Sequence, residues 1–236
     1  MKNMKPKFSF IIPTRNEESY LEECIKSIKN QRRSDYEIIV VDTLSKDGTH
    51  RIAEKHGLLV QEPRKGIGLA RNTGAECAQG GILIFADADV RFDKNFLDKI
   101  EKKFSSRDIG GGVCVLECYD GGPYTRKIYD WINYIPRLLT KAGMPMTAGS
   151  CFIYRKEHFH AVGGFNPALK TNEDHELAKR MHKHRRFVFF HDIKVRTSSR
   201  RIGKMGWLGI VSFYIKASAA FMLKGGALKQ GYPDYD

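Results

Sequence analysis

The run Ile82-Leu83-Ile84-Phe85-Ala86-Asp87-Ala88-Asp89-Val90 constrains this chain more than any other stretch. Bulky apolar residues lead without interruption into two carboxylates one residue apart. A continuous β-branched and aromatic run is the mark of a strand buried on both faces, as a parallel sheet requires. Open α/β sheets place their ligand crevice beyond the carboxyl ends of the strands, where these two aspartates fall. A strand's period of two sends alternate side chains the same way, so Asp87 and Asp89 can converge on one cation. A hard divalent ion, Mg2+ or Mn2+, shared between carboxylates and substrate phosphates suits such a pair. The plain alternative is a solvated turn capping the next helix, and the remaining sequence decides between the two.

Upstream, apolar runs alternate with amphipathic stretches. Phe8 to Ile12 reads as a strand stopped by Pro13, followed by the polar turn Thr14-Arg15-Asn16-Glu17 and a helix with Leu21, Ile25 and Ile28 at helical spacing. Glu37 to Val41 is a second strand ending in Asp42. The turn Ser45-Lys46-Asp47-Gly48-Thr49 then opens a helix to about His56. A short third strand covers Leu58 to Gln61, and a helix entered at Gly66 ends near Gly80. This alternation predicts right-handed parallel βαβ units and an α/β fold with nucleotide-binding character. Thr14 to Glu17, Asp42, and Asp87 with Asp89 then share one edge of one sheet. Each cluster alone reads as loop polarity; three at one edge read as a site. Gly66 and Gly68 lack the first-strand position and the third glycine of a dinucleotide fingerprint, which excludes that reading.

At this point the sequence resembles family 2 glycosyltransferases of the GT-A fold. The resemblance rests on Ile11-Ile12-Pro13-Thr14-Arg15-Asn16-Glu17, on Val40-Val41-Asp42 with Ser45-x-Asp47-Gly48-Thr49, on Ala70-Arg71-Asn72-x-Gly74, and on Asp87-Ala88-Asp89. It implies a mostly parallel central sheet flanked by helices, and inverting transfer of a sugar from a nucleotide-diphospho-sugar to an acceptor. The implied donor-binding set is Pro13, Thr14, Arg15, Glu17, Asp42, Arg71, Asp87, Ala88 and Asp89. Thr14, Glu17 and Asp42 would face the nucleoside, while Asp89, helped by Asp87, would hold the metal on the diphosphate. Arg15 departs from the aromatic residue often found at its position. Downstream, Gly163-Gly164-Phe165 precedes Glu173-Asp174, again as in the family. By that match Asp174 is the catalytic general base and Glu173 stands on the acceptor side. An alcohol is a poor nucleophile until a carboxylate takes its proton.

The net charge of +13 predicts attraction to polyanions: nucleotide phosphates, nucleic acid or an anionic membrane surface. Three acidic clusters at one sheet edge would repel a nucleic-acid backbone, so nucleic acid is not expected as a partner. A nucleotidyltransferase would need a glycine-rich basic turn after the first strand, and Pro13 to Glu17 is not one. Five cysteines, at 24, 77, 114, 118 and 151, read as reduced and place the chain in the cytoplasm, with Met1 to Lys7 a basic start rather than a leader. Cys114 and Cys118 lack the second pair that a metal site would want.

In the second half, Phe96 to Phe104 reads as a helix, Gly110 to Cys118 as a strand, Gly149 to Tyr154 as a strand, and Val188 to His191 as another. Tyr124 to Ala142 is an amphipathic helix that Pro136 should kink or end, and it either packs on the core or lies on a membrane. The basic loop around Arg200, Arg201 and Lys204 suits a phosphate, the donor's or one on a lipid acceptor. It faintly resembles polyprenyl-phosphate sugar transferases. Trp207 to Leu223 carries Lys216 near its middle and is short for a membrane span, so it reads first as an interfacial helix and next as a buried core helix. The expected organisation is a catalytic domain over residues 1–200 and a basic, apolar appendage over 201–236. It would act on a glycan or lipid-linked acceptor from the inner face of the cell membrane, at its anionic surface.

Overall fold

The computed structural model describes residues 5–56, 58–147, 149–206, 208, 209 and 212. Its first half is a run of βα units: β1 (Phe8–Thr14), α1 (Glu18–Lys29), β2 (Tyr36–Asp42), α2 (Thr49–His56), β3 (Leu58–Gln61), α3 (Ile67–Cys77) and β4 (Ile82–Ala86). The second half holds β5 (Arg91–Phe92), α4 (Phe96–Phe104), β6 (Ile109–Cys118), α5 (Pro123–Lys141), β7 (Cys151–Arg155), α6 (Lys156–Ala161), α7 (Glu173–His184) and β8 (Arg186–Thr197). All strands join one sheet in the order β3-β2-β1-β4-β7-β6-β8-β5. The neighbours of β1 and β2 are parallel, whereas β7 runs antiparallel to both β4 and β6. The fold is thus an α/β sheet of mixed direction flanked by helices.

Alternation along the strands builds two cores. Phe10, Ile12, Ile38, Val40 and Ile84 face one side, where Leu21, Ile25 and Ile28 of α1 and Phe96 and Ile100 of α4 cover them. Ile11, Val41, Leu83 and Phe85 face the other, against α3, Phe159 of α6 and Leu177 of α7. Burial on both faces explains why these strands read as unbroken apolar runs. Gly74 lets α3 lie close to the sheet: a Cβ there would stand 2.4 Å from a methyl of Ile11 and 2.9 Å from one of Val41.

Several boundaries differ from the sequence reading for identifiable reasons. β1 continues through Pro13 to Thr14, because beyond Ile11 it pairs with β2 alone and the missing N–H disturbs no second ladder. α5 likewise runs past Pro136. β8 extends to Thr197: Ile193 and Val195 are buried between exposed Asp192, Lys194 and Arg196, a one-sided alternation. The apolar run Trp207 to Leu223 lies outside the described residues, save Leu208, Gly209 and Ser212. Among the described residues, no helix is long and apolar enough to cross a membrane.

Candidate active site

The carboxyl edges of β1, β2 and β4 meet at one crevice. Thr14 and Asp42 are the last residues of their strands and lie in register. The Thr14 hydroxyl donates to Asp42 Oδ1 at 3.3 Å, and the Ser45 hydroxyl donates to the same oxygen at 2.5 Å. Two loops are laced together here. Asn16, in the left-handed region at φ 55°, accepts the Lys46 N–H on Oδ1 at 2.8 Å and donates its own N–H to Ser45 Oγ at 2.9 Å. Thr49 Oγ1 accepts the Glu17 N–H at 2.7 Å and donates to Asp47 at 2.5 Å. The Ser45-x-Asp47-Gly48-Thr49 motif therefore shapes the rim of the crevice. Pro13, Thr14, Arg15, Thr43, Gly66 and Ile67 line a small pocket beside it.

The aspartates just beyond β4 are both buried, Asp87 at 4% and Asp89 at 5% exposure. Ala88 between them packs into the core, but the segment is a turn rather than the strand expected, closed by the Val90 N–H on the Asp87 carbonyl at 3.1 Å. Arg71 reaches them from α3. Its guanidinium is 3.1 Å from Asp87 Oδ1 and 2.7 Å from Glu173 Oε1, and it lies over the rings of Phe152 and Phe165. Its neighbour Asn72 clips the Gly-Gly-Phe segment to the same helix, donating to the Phe165 carbonyl at 2.8 Å and accepting the Phe165 N–H at 2.9 Å. The Arg71-Asn72 pair thus joins the β4 carboxylates to the start of α7.

A second cationic cover comes from the far end of the chain. Arg200 donates to both oxygens of Glu17 at 2.6 and 2.7 Å, brings Nε to 3.0 Å from Asp89 Oδ2, and lies over the Tyr20 ring. Arg201 stands 3.6 Å from Asp87. The Thr197 hydroxyl donates to Asp89 Oδ1 at 3.1 Å. Burial, then the neighbouring Asp87 charge, raise the pKa of Asp89 against the pull of Arg200 and Arg201. Burial raises Glu17 as well. Four buried carboxylates, Glu17, Asp87, Asp89 and Glu173, therefore share three arginines, and the site favours an added cation.

At the start of α7 the adjacent acids have opposite fates. Burial, then the charge of Asp174, push Glu173 up to about 7, and its Oε2 is buried with no hydrogen-bond partner. Burial acts on Asp174 too, but the charged His175 beside it and hydrogen bonds from His175 and Thr147 outweigh it and hold the carboxyl well below the usual range. Thr147 Oγ1 lies 2.5 Å from Asp174 Oδ2, and His175 Nδ1 lies 3.0 Å from Oδ1. Asp174 in turn raises His175 against burial. The result is an ionised Asp174 fixed from two sides, next to an acid that titrates near neutrality.

Every residue anticipated from the sequence sits around this edge, apart from Lys204, exposed four residues beyond Arg200. Arg200 and Arg201, expected on a phosphate, are paired here with Glu17, Asp89 and Asp87. Sequence reasoning missed Thr147, His175, Thr197 and the bridging role of Arg71. Only His175 carried a signal, by adjacency to Asp174. Gly66, set aside with Gly68 as a failed dinucleotide motif, does line the pocket, together with Ile67.

Comparison with known proteins gives concordant findings. The family described as glycosyl transferase family 2 matches residues 9–163. Glycosyltransferase AglE of Haloferax volcanii is 28% identical over 192 residues, 76% of this chain and 62% of that protein. The putative teichuronic acid biosynthesis glycosyltransferase TuaG of Bacillus subtilis is 36% identical over 110 residues, 44% of this chain and 42% of its own length. The chain thus spans less than two thirds of either relative. Among solved structures, mannosyltransferase PcManGT from Pyrobaculum calidifontis, in complex with GDP-Man and Mn2+, aligns with a TM-score of 0.68 at 25% identity, covering 92% of this chain and 65% of that one. S. aureus TarS with UDP-GlcNAc shares the fold at a TM-score of 0.65 and 22% identity, over 82% of this chain and 59% of that one.

Proposed function

The chain belongs to glycosyl transferase family 2, and from that premise we propose that it transfers a sugar from a UDP- or GDP-linked donor, with inversion, to a hydroxyl on a glycan or lipid-linked acceptor. The observation that carries this reading is the Arg71 bridge: one buried guanidinium ties the β4 carboxylate Asp87 to Glu173, next to Asp174. A donor diphosphate site and an acceptor base are thereby held by one element. The GDP-Man and Mn2+ of the Pyrobaculum enzyme support a nucleotide-sugar donor with a divalent ion.

The residues present fit such an ion. Asp87 and Asp89 offer hard oxygen donors, and among the described residues no third His, Cys, Asp or Glu joins them into a closed metal cage. Two carboxylates plus substrate phosphates is the usual ligand set for Mg2+, and Mn2+ accepts the same oxygens. When bound, the ion neutralises the charge that gathers on the departing diphosphate. Thr14, Arg15, Asp42 and the pocket about Pro13 receive the nucleoside. Glu17 exchanges its Arg200 partner for the donor. Arg71 holds Asp87 aimed at the crevice. Asp174 takes the acceptor hydroxyl proton on a carboxylate oxygen as the hydroxyl oxygen attacks the anomeric carbon, while Thr147 and His175 fix its orientation.

Transfer to a polyprenyl phosphate is the weaker reading. It draws on Arg200 and Arg201, which pair with Glu17, Asp89 and Asp87 until the donor takes Glu17. Residues 1–200 form the proposed catalytic domain and 201–236 its appendage at the anionic inner face of the cell membrane. Arg200 and Arg201 straddle that boundary, so both sides serve the site.

A donor screen tests the proposal. UDP- and GDP-sugars are incubated with Mn2+ or Mg2+, and nucleotide release is followed. One donor is hydrolysed slowly, and EDTA or Asp89→Asn abolishes the release. No release from any donor, with or without candidate acceptors, overturns it.

A further inference from the structure

We propose that α5 is a membrane-docking helix, and that it seats the enzyme on an anionic bilayer through a stripe of its outward face. This rests on, and deepens, the lipid-linked acceptor reading. Lys127, Trp131, Tyr134, Leu138 and Lys141 fall at i, i+4, i+7, i+11 and i+14, a single line along the helix, and all are exposed. Trp131, Tyr134 and Leu138 are exposed at 52, 57 and 50%.

The opposite face is fully committed. Tyr129 donates its hydroxyl to the Ser198 carbonyl at 3.0 Å, and Asn133 donates to the Leu116 carbonyl and accepts its N–H. Pro136 is buried and Ile132 packs against the core. The stripe cannot turn inward without breaking these bonds, and among the described residues nothing covers it.

The chemistry selects a bilayer. Trp and Tyr favour the membrane interface, and lysines at both ends of the stripe can extend their amines to lipid phosphates while their stems lie on apolar surface. Arg126 and Arg137 add charge against a single acid, Asp130, and the whole chain is +13. A helical protein partner would want the apolar spacing sustained over three or four heptads, and this stripe spans two. Met144 is exposed just beyond the end of α5, three residues before the Thr147 that holds Asp174. A lipid-linked hydroxyl lying at that surface would meet the site from the docked side.

The test uses the full chain carrying Trp207→Phe, which leaves Trp131 the sole tryptophan. It is mixed with phosphatidylcholine vesicles, with or without phosphatidylglycerol. The protein sediments with the anionic vesicles, Trp131 emission shifts to the blue, and brominated acyl chains quench it. Trp131→Ser/Tyr134→Ser/Leu138→Ser, made in the native-tryptophan chain, lowers the partition coefficient by at least about tenfold. Lys127→Gln and Lys141→Gln each lower it about fivefold, less at high salt. Nucleotide titration of these variants stays at the wild-type value, which separates a failure of docking from a failure of the donor site. Absence of sedimentation, or sedimentation with Trp131 emission unmoved, overturns the proposal. So does a concentration-dependent dimer, seen by light scattering, that the triple substitution abolishes.

Discussion

Replacing Arg71 with Met keeps a long, apolar stem and removes the charge that ties α3 to β4 and α7. The side chain is 3% exposed, and its partners Asp87 and Glu173 are each 5% exposed. Solvent therefore cannot replace the lost guanidinium. Breaking a buried ion pair by removing one partner costs about 3–5 kcal/mol, mostly because the other charge stays buried. For a domain of this size each kcal/mol shifts Tm by about 2–4 °C, so the variant should melt roughly 6–20 °C lower at pH 7.5. At pH 5.5 the deficit should shrink. Glu173 has its pKa pushed up to about 7 and is largely protonated there, so the Arg71–Glu173 attraction has already gone from the native protein. Calorimetric melting of both proteins at both pH values reads the effect directly. Arg71→Met/Glu173→Gln should recover at least about 1 kcal/mol relative to additivity. A loss under about 3 °C with no pH dependence would refute the bridge as the tie between the two halves of the site.

Asp174→Asn should leave nucleotide affinity nearly unchanged and lower transfer to the acceptor by at least about 100-fold in steady-state assays; near-native turnover would reduce Asp174 to a helix-start residue. Native stability should fall as pH rises between about 4.5 and 7, because folded Glu173 holds its proton to a higher pH than the unfolded chain does. Urea titrations of Glu173→Gln should show a flatter decline across that window. Gly74→Ala should destabilise despite a helix-propensity gain of about 1 kcal/mol, since overpacking against Ile11 and Val41 costs about 1–3 kcal/mol; a stabilised variant would refute the close approach of α3.

Most of the first half of the fold was legible in the sequence because its strands are buried on both faces and its helices on one. The limits of β3 and α4 follow from the apolar pattern alone. The mixed direction of the sheet was not legible, since β7 is a short apolar strand whose sequence carries no sign of which way it runs. Two-residue β5 exists only through its pairing with β8. Within the site, residues at or just beyond strand ends announced themselves: Thr14, Asp42, Asp87 and Asp89. Thr147 did not, because a lone threonine in a connecting segment means nothing until α7 brings Asp174 to it. Arg200 was seen as a cation, but its pairing with Glu17 was not: 183 residues separate the two, and only the fold closes that distance.

The central claim is that the carboxylates after β4 form a donor diphosphate site. Isothermal titration of UDP and GDP into the native chain and into Asp89→Asn, each with Mn2+ and then with EDTA, tests it most directly. One nucleotide should bind the native chain with Mn2+, and EDTA or the substitution should each weaken that binding by at least about tenfold, or 1.4 kcal/mol. Equal affinity under all of these conditions would contradict the claim.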